Sequence, residues 1–143
     1  MHISSQHKRT LNSALKKNGL RPTKQRSCIY KVILEKKDHP TAEDILFRVR
    51  QDLPTISLAT VYNCLETLVD CGLVRQVNFD RSSTRFCPNL TPHAHFKCSE
   101  SGNIFDIEID NESLTSLKSI LPAGFQAENF ELSFSGVSKS LNN

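Results

Sequence analysis

The 143-residue sequence predicts an α+β chain: short helices and a β-hairpin first, then a small β-β-α-β piece. Three observations lead there. Apolar residues recur at helical spacing up to about residue 72. The period changes to two at LVRQVNF (73–79) and STRFC (83–87). PNLTP (88–92), with two prolines, an Asn and a Thr in five residues, then interrupts the pattern as a linker.

Bulk properties agree. Hydrophobic residues make up 38% and charged residues 23%, with a mean hydropathy of −0.36. That is too apolar for a disordered chain and too polar for a membrane protein. No apolar run approaches the roughly 18–20 residues of a membrane-spanning helix. The first twenty residues lack the apolar block of a secretory signal, so a soluble cytoplasmic protein is expected. The five cysteines (28, 64, 71, 87 and 98) form no C-x-x-C pair. They read as free thiols, or as one or two metal ligands, rather than disulfides.

The elements follow in order. A helix near 6–18 places Leu11, Ala14 and Leu15 on one face and stops at Gly19. Pro22 and Thr23 open a second, with Cys28, Ile29, Val32 and Ile33 facing inward. Thr41 and Asp44 resemble a capping box for a third, whose buried face is Ala42, Ile45, Leu46 and Val49. Ser57 caps a fourth, 58–71, with an apolar stripe of Leu58, Val61, Leu65 and Leu68 and a stop at Gly72. The two strands and the turn DRSS (80–83) complete a hairpin. Helices followed by a hairpin outline a winged helix, a variant of the helix-turn-helix. Beyond the linker, strands are expected at 94–98 and 104–109, a helix near 111–121 and a last strand near 128–134. About 50 residues bury little core alone, so this piece is expected to pair with a second copy. The expected domains are therefore 1–87, a hinge at 88–92, and a dimerisation domain at 93–143.

Charge separates the two parts. Residues 1–34 hold eight basic side chains and no acidic one; residues 1–80 carry +5 and residues 81–143 carry −2. A basic front half suits a polyanion, and it also suits a solvated surface. The fourth helix favours the polyanion. Opposite its apolar stripe stand Ser57, Thr60, Tyr62 and Asn63, with the acids Glu66 and Asp70 confined to the second half. A recognition helix enters the major groove by its N-terminal residues, where acids are unwelcome. Tyr62 offers a hydroxyl to a base edge and a ring to a thymine methyl. Lys16, Arg21 and Lys24 are candidate phosphate contacts. An amphipathic helix with an exposed tyrosine would show the same pattern; the basic first helix and the hairpin tip the expectation to double-stranded DNA.

His93 and His95 form an H-x-H, which a strand presents on one face. Two same-face histidines are a common start for a transition-metal site. Further ligands could come from Cys87, from Asp106 on the next strand, or from His39 in DHPT. Cys28, Cys64 and Cys71 fall on apolar stripes and read as core.

GLRPTKQRSCIYKVI, HPTAEDI, ISLATVYNCLETLVDCGLV and PHAHFKC…GNIFDIE resemble the ferric-uptake-regulator family of metal-responsive transcription factors. The resemblance covers about residues 10–136, in the family's motif order. It implies a homodimeric, metal-gated repressor of a DNA operator, with an N-terminal winged helix and a C-terminal dimerisation domain. It implies one regulatory divalent metal per chain, held by His39, Cys87, His93, His95 and Asp106. Tyr62 is the tyrosine that the family presents to DNA. Iron and peroxide regulators carry a carboxylate where this chain has Cys87, and zinc regulators carry a cysteine. The family's two C-x-x-C pairs for a structural zinc are missing: Cys98 remains, Ser101 stands at its partner position, and the C-terminal stretch reads GVSKSLNN. No structural zinc is expected.

A thiolate among imidazoles favours zinc over manganese. Zinc sensing is the expectation, and a peroxide- or iron-responsive regulator is the alternative. An enzyme is the reading from another class, since two histidines and a carboxylate also describe mononuclear non-haem iron oxygenases. The roughly 50 residues after Pro92 are too few for the barrel such enzymes use. A regulator, not an enzyme, is expected.

Overall fold

The computed structural model describes residues 3–79 and 83–139, which form two compact units, Met1–Leu90 and Thr91–Asn143. Each is taken by itself below. No helix among the described residues is long and apolar enough to cross a membrane.

In the first unit, every helix starts on a side chain that satisfies an orphan backbone N–H. α1 (Ser5–Lys17) is capped by Ser4 and α2 (Lys24–Glu35) by Thr23. α3 (Ala42–Val49) carries a full capping box, Thr41 accepting from the Asp44 N–H and Asp44 accepting from the Thr41 N–H. α4 (Leu58–Asp70) is capped by Ser57. Their inward stripes form one core around Leu11, Leu15, Ile29, Ile33, Ile45 and Leu65, all of them 1% exposed or less. At about 25 cal/mol per Å² of apolar surface, these side chains are the main stabilising contribution to the unit.

Past Gly72, whose φ of 74° ends the fourth helix in the left-handed region, the chain forms β1 (Arg75–Val77) and β2 (Arg85–Cys87). They pair antiparallel, Arg75 opposite Cys87. The ladder is shorter than the sequence suggests, and residues 80–82 of the expected turn lie outside the described residues. Four helices and this hairpin are the winged helix expected from the sequence.

The second unit is a three-stranded sheet with one helix. β3 (His93–Cys98) lies between antiparallel β4 (Ile104–Glu108) and, after α5 (Asn111–Lys118), parallel β5 (Ser133–Gly136). The last strand starts later than the expected 128–134. Its parallel pairing with β3 runs from His95 opposite Ser133 to Cys98 opposite Gly136. α5 also ends earlier than expected, at Lys118.

Candidate metal centre and nucleic-acid interface

His39 sits just before α3 with φ at 56°, a left-handed conformation uncommon outside glycine. Such backbone costs of order 1 kcal/mol and persists only where its surroundings hold it. Here they do. Arg48 Nη1 and Nη2 donate to both carboxylate oxygens of the preceding Asp38, at 3.0 and 2.7 Å. Arg85 Nη1 donates to the His39 carbonyl at 3.0 Å, and the Phe86 N–H donates to the Pro40 carbonyl at 3.0 Å. Burial works against the Asp38 carboxylate, but the Arg48 hydrogen bonds and charge outweigh it and hold the group below the usual carboxylate range.

The same contacts bring Cys87 to His39. Thr41 bridges Arg85 in antiparallel register, so two steps along each chain His39 comes opposite Cys87. A His39 ring nitrogen and the Cys87 Sγ lie within 4.8 Å of each other, both residues buried.

In the second unit, alternation along β3 puts His93 and His95 on one face, and the β3–β4 register sets Asp106 directly opposite His95. The two imidazoles meet edge to face, with their Nε2 atoms 3.1 Å apart. Asp106 Oδ1 lies 3.3 Å from His95 Nε2 and 3.7 Å from His93 Nε2. His93 Nδ1 is 2.7 Å from the Thr91 carbonyl oxygen, which can only accept, so Nδ1 donates to it and Nε2 is turned toward His95 and Asp106. Histidines that bind metals are oriented in this way.

The donor chemistry suits a borderline ion. One unit offers a thiol and an imidazole; the other offers two imidazoles and a carboxylate. Sulfur, nitrogen and oxygen donors of this kind are all accepted by borderline transition-metal ions.

The other cysteines differ. Cys64 is buried, Cys28 and Cys71 are half-buried against the same core, and burial pushes the Cys64 and Cys71 thiols up. Cys98 is fully buried at the end of β3. The Ser101 hydroxyl and backbone N–H donate toward its sulfur and draw the thiol down to about 6. Ser101 is thus a hydrogen-bonding partner of Cys98.

On α4, Tyr62 and Asn63 are exposed, as are Lys16, Arg21 and Lys24 elsewhere in the unit. Ser57 and Thr60 are engaged with each other: Ser57 Oγ accepts from the Thr60 N–H at 3.1 Å, and the two hydroxyls are 3.0 Å apart. The Tyr62 hydroxyl donates to Glu43 Oε1 at 3.3 Å. The roles of Glu43, Arg48 and Arg85 were not foreseen from the sequence. They depend on residues 10 to 46 positions away, for which no periodicity gives a signal.

Comparison with known proteins agrees with this architecture. Residues 17–135 match the Ferric uptake regulator family. The peroxide-responsive repressor PerR of Staphylococcus aureus strain Mu50 is 36% identical over 96 residues, covering 67% of this chain. The matched region spans 65% of that repressor's length. Among solved structures, the Helicobacter pylori ferric uptake regulator Fur superposes with a TM-score of 0.78 at 20% identity, covering 98% of this chain and 95% of that one. The ferric uptake regulator from Pseudomonas aeruginosa, solved with manganese, gives a TM-score of 0.73 at 30% identity, covering 90% of this chain and 97% of that one. These relatives are repressors and uptake regulators rather than enzymes. With its winged helix, its small sheet domain and a match across most of its length, the chain belongs to the Ferric uptake regulator family.

Proposed function

We propose that this chain is a DNA-binding transcriptional repressor that works as a homodimer in the cytoplasm and responds to zinc through one regulatory site. The observation that carries this reading is the pairing of Cys87 with His39 in a buried antiparallel register. It supplies a soft sulfur donor and an imidazole side by side, which suits zinc better than manganese. Zinc takes four ligands; His39 and Cys87 of the first unit, with two donors from the second among His93, His95 and Asp106, are proposed to supply them. His93 stands against His95. Cys98 has Ser101 as its partner, so no second, structural zinc belongs to this reading.

Two of these ligands belong to the first unit and two to the second. Binding through both would restrict the angle between the units and, through the dimer, the spacing of the two copies of α4. Half-sites must lie about one helical turn or a multiple apart. Repression would then follow occupancy as a population shift, limited by the differential affinity for the DNA-competent state. Dimerisation is supported by apolar residues that the second unit leaves exposed, Ile107, Ile120, Phe125 and Phe134 among them. On DNA, Tyr62 and Asn63 are placed at base edges, Ser57 and Thr60 at the tip of the helix, and Lys16, Arg21 and Lys24 on phosphates, so affinity should fall with salt.

A peroxide- or iron-responsive regulator is the second reading, favoured by the similarity to the Staphylococcus aureus peroxide-responsive repressors. One experiment separates the two. Protein purified without added metal is analysed for metal content, then tested by gel shift on its own upstream DNA before and after chelation, beside Cys87→Ala and Cys87→Asp. The zinc reading expects about one zinc per chain, chelation-sensitive DNA binding, loss of both in Cys87→Ala, and a shift toward harder ions in Cys87→Asp. If Cys87→Ala keeps its zinc and its DNA binding, Cys87 is a packing residue and the peroxide or iron reading replaces zinc sensing.

A further inference from the structure

Glu43 lies in the first turn of α3 and Tyr62 in the first half of α4, and the phenol donates to the carboxylate at 3.3 Å. Both side chains are open to solvent, Tyr62 being 48% exposed, so the bond orients the hydroxyl without burying it. Glu43 is available for this because the capping box uses its neighbour Asp44 instead. Ser57 and Thr60 fix the first turn of α4 by their own bonds. The two ends of the contact therefore rest on capped, well-defined helix starts.

The contact has one polarity. An ionised carboxylate only accepts, and a phenol has a single proton, so Tyr62 gives that proton to Glu43. What the phenol oxygen can still offer is its lone pairs. We propose that Glu43 is a specificity-determining residue: it makes Tyr62 meet DNA as a hydrogen-bond acceptor, selecting an amino-bearing base on the strand it touches. In the major groove adenine N6 and cytosine N4 donate, whereas guanine O6 and N7 and thymine O4 only accept. Adenine or cytosine should thus be preferred over guanine or thymine on that strand, which sets the orientation of the base pair. A tyrosine without Glu43 could donate or accept and would discriminate less. The carboxylate has a second effect, because a negative charge beside the reading residue opposes non-specific approach to phosphates.

This inference rests on the DNA-binding reading above and deepens it. The test is selection by the 143-residue, zinc-loaded chain from a duplex library with randomised positions, followed by titration of the selected duplex and of a random duplex. Parent, Tyr62→Phe, Glu43→Ala and Glu43→Gln are compared. The parent should select a position dominated by adenine or cytosine, by about tenfold over guanine and thymine, as expected for one good hydrogen bond. Tyr62→Phe and Glu43→Ala should both lose the preference at that position and keep the rest of the selected sequence. Glu43→Ala should bind random DNA as tightly as the parent or more so. Glu43→Gln, whose amide oxygen can still accept, should keep part of the preference and controls for any folding defect of the alanine variant. Three results overturn the proposal while leaving DNA binding intact: a Tyr62-dependent position that prefers guanine or thymine, a Tyr62→Phe protein that selects as the parent does, or a Glu43→Ala protein that keeps the full preference. A parent that selects no sequence at all overturns the repressor reading, and this proposal with it.

Discussion

In the first unit, helices α1 to α4 each bury at least two residues in one shared core, whereas α5 in the second unit buries none. The second unit instead leaves Ile120 78% exposed and Phe125 67% exposed. Size accounts for the contrast. A unit of about 90 residues can close four amphipathic helices around a core, while about 50 residues carry too much surface for their volume. The smaller unit spends its few buried positions on Ala94, Cys98 and Ile104 and on two histidines, His93 and His95. Its sheet holds the proposed metal donors in place, and its remaining apolar surface is the one proposed for a second copy to cover.

The largest expected effect tests whether the first unit is self-sufficient. Leu65→Ala removes a nearly inaccessible core side chain and should cost about 2–5 kcal/mol in a urea titration. Leu117→Ala on α5, at a half-buried position, should cost well under that in the same titration. Equal costs would erase the contrast between the units.

The next effect concerns the exposed apolar residues. Ile120→Ser combined with Phe125→Ser should weaken self-association by about 2 kcal/mol or more, read by analytical ultracentrifugation, because apolar area would no longer be removed from water at the interface. Circular dichroism should show the helices of the first unit unchanged. A double variant that still dimerises at the parent's concentration would place the dimer surface elsewhere.

A smaller effect is expected where the turn before α3 is fastened. Arg48→Ala breaks the two-pronged contact with Asp38, and since Asp38 is about a third exposed the loss should be only about 0.5–1 kcal/mol of stability. Its effect on zinc affinity should be larger in proportion, because His39 follows Asp38 directly and depends on that turn for its left-handed backbone. Competition with a chromogenic chelator would measure it.

A further test is a pH effect at Cys98. Hydrogen bonds from Ser101 favour its thiolate, with a thiol value of about 6 in the fold against an ordinary value of 9.0. The folded pKa is the lower one, so the contribution is full above the ordinary thiol value and is lost as pH falls through about 6. Between those limits the melting temperature of the parent should rise with pH relative to that of Cys98→Ser. Parallel curves for the two proteins would mean that Ser101 does not stabilise a thiolate.

Much of this molecule is local, and the local part was legible. The stripe of Val61, Leu65 and Leu68, the Thr41–Asp44 capping box and the shared face of His93 and His95 each follow from spacings of two to four residues, which helix and strand geometry impose on any chain. Asp106 was also within reach, because a hairpin of two apolar segments leaves few registers for it. What stayed hidden rests on contacts distant in sequence. The meeting of His39 with Cys87 needs the Thr41–Arg85 bridge, 44 residues apart, and the polarity of Tyr62 needs Glu43 from another helix. The place of the last strand turned on its parallel register with β3, a pairing about 38 residues apart in sequence. Periodicity specifies which face of an element is buried but not which partner it meets, and the partner is chosen only when the whole core packs. The sequence by itself therefore determined the helices and the sheet-forming segments and offered the candidate donor residues; the tertiary structure decided which of them stand together within each unit and which partner the Tyr62 hydroxyl meets.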